Sequence, residues 1–510
     1  MQKLIKVLFS QAAIVSVLLL LQCLLIIATI LRINQHFVCF DILLKIISLV
    51  TVIIIINRHS NPMYKLSWIV PILVFPMFGG LFYLFITGQR HTGYFFSGLK
   101  KSEKDFTSLC TEDKKAIEKI NERYPERSSV VTYIKRVCGL NVYRIEEAKY
   151  FPLGEDKFAS LLNELEKAEK YIFLEYFIIK EGKMWDSVLK ILKRKASEGV
   201  DVRVMYDGMG SMALLPRNYP KMLQSYGIKC RVFGPFVPFL SAVQNNRDHR
   251  KILVIDGTVA YTGGINLSDE YINEDYSPGH WKDMAVMVKG RAAFSFAVMF
   301  LHLWHSTGPE NEDIKKFIPD FKSNPDENDN GYVLPYCDIP HDKHQTGEYI
   351  YLDIINKAKK YVYITTPYLI LDHEMVVSLT NAAMGGIDVR IICPHISDHW
   401  YARLVMYSYY KELTDAGVKL YEYTPGFMHG KTFCSDDKVC VVGSINLDYR
   451  SLYLHFECAA WFLDCPVVYD VKNDFQQTLE KCTLITDRYS KMNPFKKLIC
   501  ALLRLFAPLM

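Results

Sequence analysis

Three long apolar runs open the chain. Residues 12–31 are almost uninterrupted, residues 42–56 are broken only by Lys45, Ser48 and Thr51, and residues 66–87 make the third. Each approaches or reaches the ~20 residues needed to cross hydrocarbon. The pattern therefore predicts a membrane anchor of two or three transmembrane helices within residues 1–90. A cleaved leader is the other reading of the first run, but that run lacks a small-residue cleavage site and exceeds the usual apolar core of such leaders. Past residue 140 the pattern changes. Short Val- and Ile-rich stretches alternate with segments of helical period such as residues 184–197, which predicts a covered α/β sheet.

The pattern also repeats. KAEKYIFLEYFI at 167–178 matches KAKKYVYITTPY at 357–368, EGVDVRVMYDGMGS at 198–211 matches GGIDVRIICPHISD at 385–398, and YGIKCRVF at 226–233 matches AGVKLYEY at 416–423. Two similar halves follow, residues 140–308 and 332–482. Between them, residues 309–331 are polar, acidic and proline-bearing and read as a connector. Residues 91–139 begin with a Lys- and Glu-rich stretch that stops at Pro125; they read as a juxtamembrane linker or a solvated charge run. Residues 483–510 form a basic tail with Leu498, Ile499, Leu502, Leu503, Leu505 and Phe506 interleaved among Lys496, Lys497 and Arg504, the pattern of a helix lying on a membrane surface or packed on a core.

Composition narrows the class. The chain has 510 residues, of which 50% are hydrophobic, more than one domain and more apolar than an ordinary soluble enzyme. Its net charge of +5 and pI of 8.4 are low for a nucleic-acid protein and suit a body resting on anionic lipid. The 13 cysteines are an odd, scattered set with no Cys-x-x-Cys pair, which argues against a disulfide framework and against structural zinc.

The chemistry lies in a doubled motif. His249, Lys251 and Asp256 in HRKILVID share their spacing with His429, Lys431 and Asp436 in HGKTFCSD, and each copy is followed by a small-residue turn and an asparagine, Asn266 in GGIN and Asn446 in GSIN. On a strand, positions i and i+2 share a face, so each His points with its Lys into one pocket. The aspartates fall at the turn of a following hairpin and read as braces of that turn. Two imidazoles and two ammonium groups suit substitution at a phosphodiester: one ring attacks phosphorus, the other protonates the leaving oxygen, and the lysines neutralise the non-bridging oxygens. A neutral nucleophilic imidazole needs an acceptor on its other nitrogen. Asp283 and Glu457, each downstream of a motif, are the candidates. No metal or other cofactor is needed.

These residues resemble the phospholipase D superfamily over roughly residues 140–480, and the longer second block FMHGKTFCSDDKVCVVGSINLDYRSLYLHFE, together with the apolar N-terminus, resembles its bacterial cardiolipin synthase branch. The resemblance implies two α/β/α halves related by a pseudo-two-fold axis, with one shared active site. It implies phosphatidyl transfer between two phosphatidylglycerols, with His249 as nucleophile and His429 as acid and base, or the reverse. Lys251, Lys431, Asp256 and Asp436 complete the catalytic set, Asn266 and Asn446 donate to the phosphate, and Asp283 and Glu457 orient the histidines. Partners would be phosphatidylglycerol and anionic lipids, and the setting a cell membrane with the catalytic part cytoplasmic. A phospholipase D hydrolase, or a transferase using another alcohol such as a phosphatidylserine synthase, shares the motifs. A nuclease of the superfamily shares them too, but the charge speaks against it, and the intact His and Lys pairs speak against a non-catalytic scaffold.

Overall fold

The computed structural model describes residues 35–76, 78–87, 91–235, 245–277, 279–308, 312–321, 330–340, 344–486 and 492–509. The chain separates into two compact units. One holds residues 1–94, 236–245 and 501–510, the other residues 95–235 and 246–500.

In the first unit the apolar run at 42–56 lies in a helix, Gln35–Asn57, whose Phe40–Asn57 portion is the one stretch among the described residues long and apolar enough to cross a membrane. The run at 12–31 falls outside the described residues. The third run is not one helix: it divides into Pro62–Val74 and Gly79–Thr87, of 13 and 9 residues. At 1.5 Å per residue the longer reaches about 20 Å, short of the roughly 30 Å of hydrocarbon. Proline explains the break, since Pro76 cannot donate a helical hydrogen bond. The freed Pro76 carbonyl accepts from Ser48 Oγ at 2.5 Å, and Ser48 Oγ in turn accepts from Gly80 N at 3.2 Å. A Cβ on Gly80 would stand 2.7 Å from Ser48 Cα, so only glycine permits this approach.

In the second unit the strands, in chain order, are β1 (Tyr143–Arg144), β2 (Glu147–Phe151), β3 (Tyr171–Tyr176), β4 (Asp201–Asp207), β5 (Lys229–Phe233), β6 (Lys251–Ile255), β7 (Val259–Gly263), β8 (His280–Lys282), β9 (Ala285–Lys289), β10 (Tyr332–Asp338), β11 (Tyr361–Thr365), β12 (Asp388–Pro394), β13 (Lys419–Tyr423), β14 (Gly426–Met428), β15 (Thr432–Ser435), β16 (Val439–Gly443), β17 (Glu457–Leu463) and β18 (Cys482–Leu484). One sheet runs β2-β9-β7-β6-β3-β4-β5 and the other contains β10-β17-β16-β15-β11-β12-β13, the same order strand for strand. The sequence repeat is thus a repeat of architecture. In each, a parallel trio joins an antiparallel hairpin that carries the motif.

Every residue of β3 is buried, as expected of a strand covered on both faces. Ile172, Leu174 and Tyr176 face a core that includes Trp185, Val188 and Leu192 of the helix Lys183–Ser197. Phe173, on the other face, stacks on Phe300 of the helix Arg291–Ser306 at 4.6 Å. That helix is buried from Ala292 to Trp304, which is why its sequence is apolar all round.

Two segments differ from the linkers expected of them. Residues 114–139, with the first residues of the first half as far as 144, build onto the second half: β1 pairs with β10, Arg127 meets Asp353 at 3.1 Å with both side chains buried, and Tyr124 donates to Asp464. The charge-rich sequence hides a narrow apolar edge, Ala116 and Ile120, that docks. Residues 312–321 likewise pack on the first half, where Glu312 pairs with buried Arg203 at 2.6 Å and the Phe317 carbonyl accepts from Tyr171 Oη at 2.7 Å.

Candidate active site

The period of two along the motif strand separates two jobs. His249 and Lys251 face one way, while Asp248 and Arg250 face the other, where Arg250 pairs with Glu175 of β3 at 2.5 Å. The backbone at each histidine is held by the opposite half. His249 N donates to Phe456 O at 2.9 Å, and His429 N donates to Lys282 O at 2.8 Å. Strands β8 and β14, one from each half, pair in parallel beside the second histidine.

The side chains cross in the same way. Glu457 Oε1 lies 2.9 Å from His249 Nδ1, and Asp283 Oδ2 lies 2.5 Å from His429 Nδ1. Both carboxylates belong to the site, but each serves the histidine of the other half, not the one upstream of it in its own half. The reason is the strand ends: Phe456 and Lys282 fix the opposite histidine's amide, and the next residue in each case is the carboxylate. The two supports are not identical. Ser444 Oγ donates to Glu457 Oε2, whereas at the corresponding Gly264 the Asp283 carboxylate itself takes the space of a side chain, since a Cβ there would collide with Oδ1 at 2.2 Å. Asp283 Oδ1 accepts instead from Met284 N at 2.7 Å.

Lys251 Nζ donates to His249 O at 2.6 Å, and Lys431 Nζ lies 2.8 Å from His429 Nδ1 and 3.8 Å from Asp283 Oδ2. All four motif side chains are buried. Burial, followed by the charges of Lys251, Lys431 and His429, pushes His249 well below the ordinary imidazole range. Burial and Lys431 bring His429 down to about 4 against the pull of Asp283. Burial lowers Lys251 to about 7 and Lys431 to about 8, although both feel Asp283 and Glu457. Burial opposes ionisation of Asp283 as well, but Lys431 and His429 keep its carboxyl below the usual range. The resting site therefore holds two neutral imidazoles, the form that can attack phosphorus.

Asp256 and Asp436 stand apart from this cluster, at the hairpin turns. Asp256 accepts from the amides of Glu169, Lys170 and Tyr171 at 2.7–2.9 Å, and Asp436 from those of Lys359, Lys360 and Tyr361 at 2.7–3.0 Å. The partners occupy matching positions of the sequence repeat. With both oxygens committed to backbone, these residues position the motif strand and do not reach a reacting atom.

Asn266 is also committed: Oδ1 accepts from Ile178 N at 3.1 Å and Nδ2 donates to Tyr271 Oη at 2.7 Å. It thereby fixes Tyr271, whose ring packs edge-on to His429 at 5.3 Å. Asn446 differs, because its buried Oδ1 has no hydrogen-bond partner among the described residues. Aromatic rings line both histidines: Phe177 stands 5.0 Å from His249, and Trp281 and Phe427 stand 5.7 and 5.5 Å from His429. Phe177, Tyr271 and Phe427 carry no motif signal in the sequence.

His455 is the residue that sequence reasoning passed over. Its ring lies 5.5 Å from that of His249, its Nδ1 is 3.8 Å from Glu457 Oε1, and neither ring nitrogen has a partner within 3.5 Å among the described residues. The available signal was its position two residues before Glu457. His249, His455 and Glu457 carry ligand atoms within 4.8 Å of one another and could hold a transition metal, as could Glu348, Asp372 and Glu374. An ion at the first trio would occupy the nucleophile, so the derived chemistry does not run through it.

Residues 161–304 and 351–479 match the family described as "Cardiolipin synthase, PLD-like domain", and residues 46–86 match "Phospholipase_D-nuclease N-terminal". The chain belongs to the cardiolipin synthase, PLD-like family. Its two matched segments are the two halves that carry the crossed pairs. A cardiolipin synthase of Alkalihalophilus pseudofirmus is 33% identical over 92% of this chain and 92% of its own length. A Streptococcus mutans protein described only as uncharacterized is 45% identical over 90% of this chain and 99% of its own. The phosphatidylserine synthase of Haemophilus influenzae shares the fold, with a TM-score of 0.56 at 14% identity over 75% of this chain and 98% of its own.

Proposed function

We propose that this protein is a membrane-anchored phosphatidyltransferase that joins two phosphatidylglycerols into cardiolipin and releases glycerol. The observation that carries the reading is the crossed pair of buried histidine–carboxylate contacts flanked by Lys251 and Lys431. In the first step Nε2 of His249, whose Nδ1 faces Glu457, attacks the phosphorus of the donor. The phosphorus–oxygen bond to the glycerol headgroup breaks, and His429 supplies the proton that leaves with glycerol. The negative phosphodiester itself favours protonation of His429 on arrival, offsetting the low proton affinity of the empty site. In the second step the hydroxyl of the other phosphatidylglycerol attacks the phosphatidyl-histidine, its proton passes to His429, and the electron pair of the phosphorus–nitrogen bond returns to His249. Lys251, Lys431 and Asn446 face the phosphoryl oxygens.

The family match and the curated relatives support phosphatidylglycerol as donor and acceptor over water or another alcohol. Helix Phe40–Asn57 supports membrane attachment. Positive charge at Arg90, Lys100, Lys101 and Lys104 supports a cytoplasmic catalytic part, and a second crossing ahead of residue 91 would place Lys3 and Lys6 on that same side. Incubating the purified protein with vesicles of phosphatidylglycerol should yield cardiolipin and glycerol in equal amounts, and His249→Ala and His429→Ala should each abolish both. Phosphatidic acid as the dominant product would show a hydrolase instead.

A further inference from the structure

Transfer between two lipids needs a second place for lipid beside the histidines, and the structure holds a cavity of about 630 Å³ outside the motif cluster, within the size range of small-ligand sites. Its wall carries two cations, Arg403 and Lys496, and neither shows an ion pair among the described residues. Arg403 Nε donates to Tyr407 Oη at 2.5 Å, and Lys496 Nζ stands 5.8 Å from the same ring, so Tyr407 holds both cations at one wall. Ser397 and Asp398 add polar groups suited to hydroxyls. Trp400, 70% exposed at the rim, adds apolar surface suited to acyl chains together with Leu404 and Met492.

The position is informative. Asp398 accepts from Tyr368 Oη at 2.7 Å and acts electrostatically on Lys431. Tyr368 in turn feels Tyr271, the ring packed against His429. The cavity therefore neighbours the His429 side of the site, where the acceptor hydroxyl must deliver its proton.

We propose that this cavity docks the acceptor phospholipid, with Arg403 and Lys496 on its phosphodiester and its headgroup hydroxyl directed to His429. The inference rests on the transferase reading above. The bonds made and broken are those of the second step, with no further reactant.

The test uses the full chain and its Arg403→Gln/Lys496→Gln variant, with phosphatidylglycerol vesicles and ethanol as a competing small acceptor. Loss of charge-assisted contacts should lower the ratio of cardiolipin to phosphatidylethanol about tenfold or more. An unchanged ratio overturns the assignment, whether or not total turnover falls. A binding measurement separates this proposal from the transferase reading: short-chain phosphatidylglycerol titrated onto the His249→Ala protein should change Trp400 fluorescence saturably, with Trp400→Phe as control. The change should be lost in the Arg403→Gln/Lys496→Gln background. Equal saturation by inorganic phosphate, or by glycerol phosphate, would mark a free-anion site and overturn the lipid assignment. Wild-type protein that binds the lipid yet makes no cardiolipin would refute the transferase reading and, with it, the acceptor role.

Discussion

His249 takes its carboxylate from the far half of the chain: its Nδ1 lies 2.9 Å from Glu457 Oε1, across 208 residues of sequence. Asp283 completes His429 in the mirror sense, across 146 residues. Neither half contains a finished catalytic pair. The duplication therefore makes the two motifs interdependent, because each supplies both the backbone acceptor and the carboxylate that orient the other's imidazole.

That crossing can be measured. Glu457→Gln should impair the His249 step, lowering kcat by about a hundredfold or more, the scale of a lost proton-transfer partner. Asp283→Asn should impair the His429 step by a similar factor. Rapid-quench mass spectrometry of the phosphatidyl-histidine intermediate tells them apart: Glu457→Gln should match His249→Ala in failing to form it. If Asp283→Asn shows that behaviour and Glu457→Gln does not, the functional pairing runs within each half after all.

Asp256 and Asp436 should behave as structural residues. Each accepts three amides at the start of the neighbouring strand, most of them exposed to solvent, so that losing these bonds costs about 0.5–1.5 kcal/mol each. Alanine at either position should lower the unfolding midpoint of the detergent-solubilised protein by that scale, while the fraction that stays folded keeps a kcat within a few-fold of wild type. A loss of kcat as deep as that of His249→Ala, in protein of normal stability, would place these carboxylates in the chemistry.

The strand geometry around the motifs was legible because it is local. Alternation puts His249 with Lys251, the Asp256-Gly257 pair marks a hairpin turn, and the repeated KAEKY and KAKKY segments mark matching strands. The pairing of carboxylates was not, because Asp283 follows the first motif and Glu457 the second at similar offsets, and only the contact between the folded halves decides which histidine each meets. The break of the third apolar run at Pro76 could be suspected from proline, but its stabilisation depends on Ser48, 28 residues away. Asn266 was read only in part for a related reason: it also holds Tyr271, which carries no motif signal.

His455 should matter despite lying outside the repeated motif. Two buried ring nitrogens without close partners among the described residues are costly in a resting fold, and the phosphodiester of the proposed reaction would be the polar species entering beside His249. His455→Phe is expected to leave the unfolding midpoint unchanged or slightly higher while lowering kcat/KM about tenfold. Undiminished kcat/KM would show that the ring only fills space.

The pH dependence follows from opposite requirements on the two residue types. Imidazole attacks when neutral, and His249 lies well below the ordinary range, so the nucleophile is competent through the acidic region, while His429, which loses its proton above about 4 in the empty site, regains one with the arriving phosphodiester. Lysines bind phosphate when protonated, and burial lets Lys251 and Lys431 lose that charge near 7 and 8 in the empty site. The folded values lie below the ordinary ones in both cases, so raising the pH first gains nucleophile and then loses cation. kcat/KM, which reports the free enzyme, should decline as the pH passes about 7 to 8 and the lysines lose their charge. Lys251→Arg, whose guanidinium stays charged, should move the declining limb to higher pH even where its maximum is lower. A profile that keeps rising past pH 9 would mean that neither lysine needs its charge to receive the substrate.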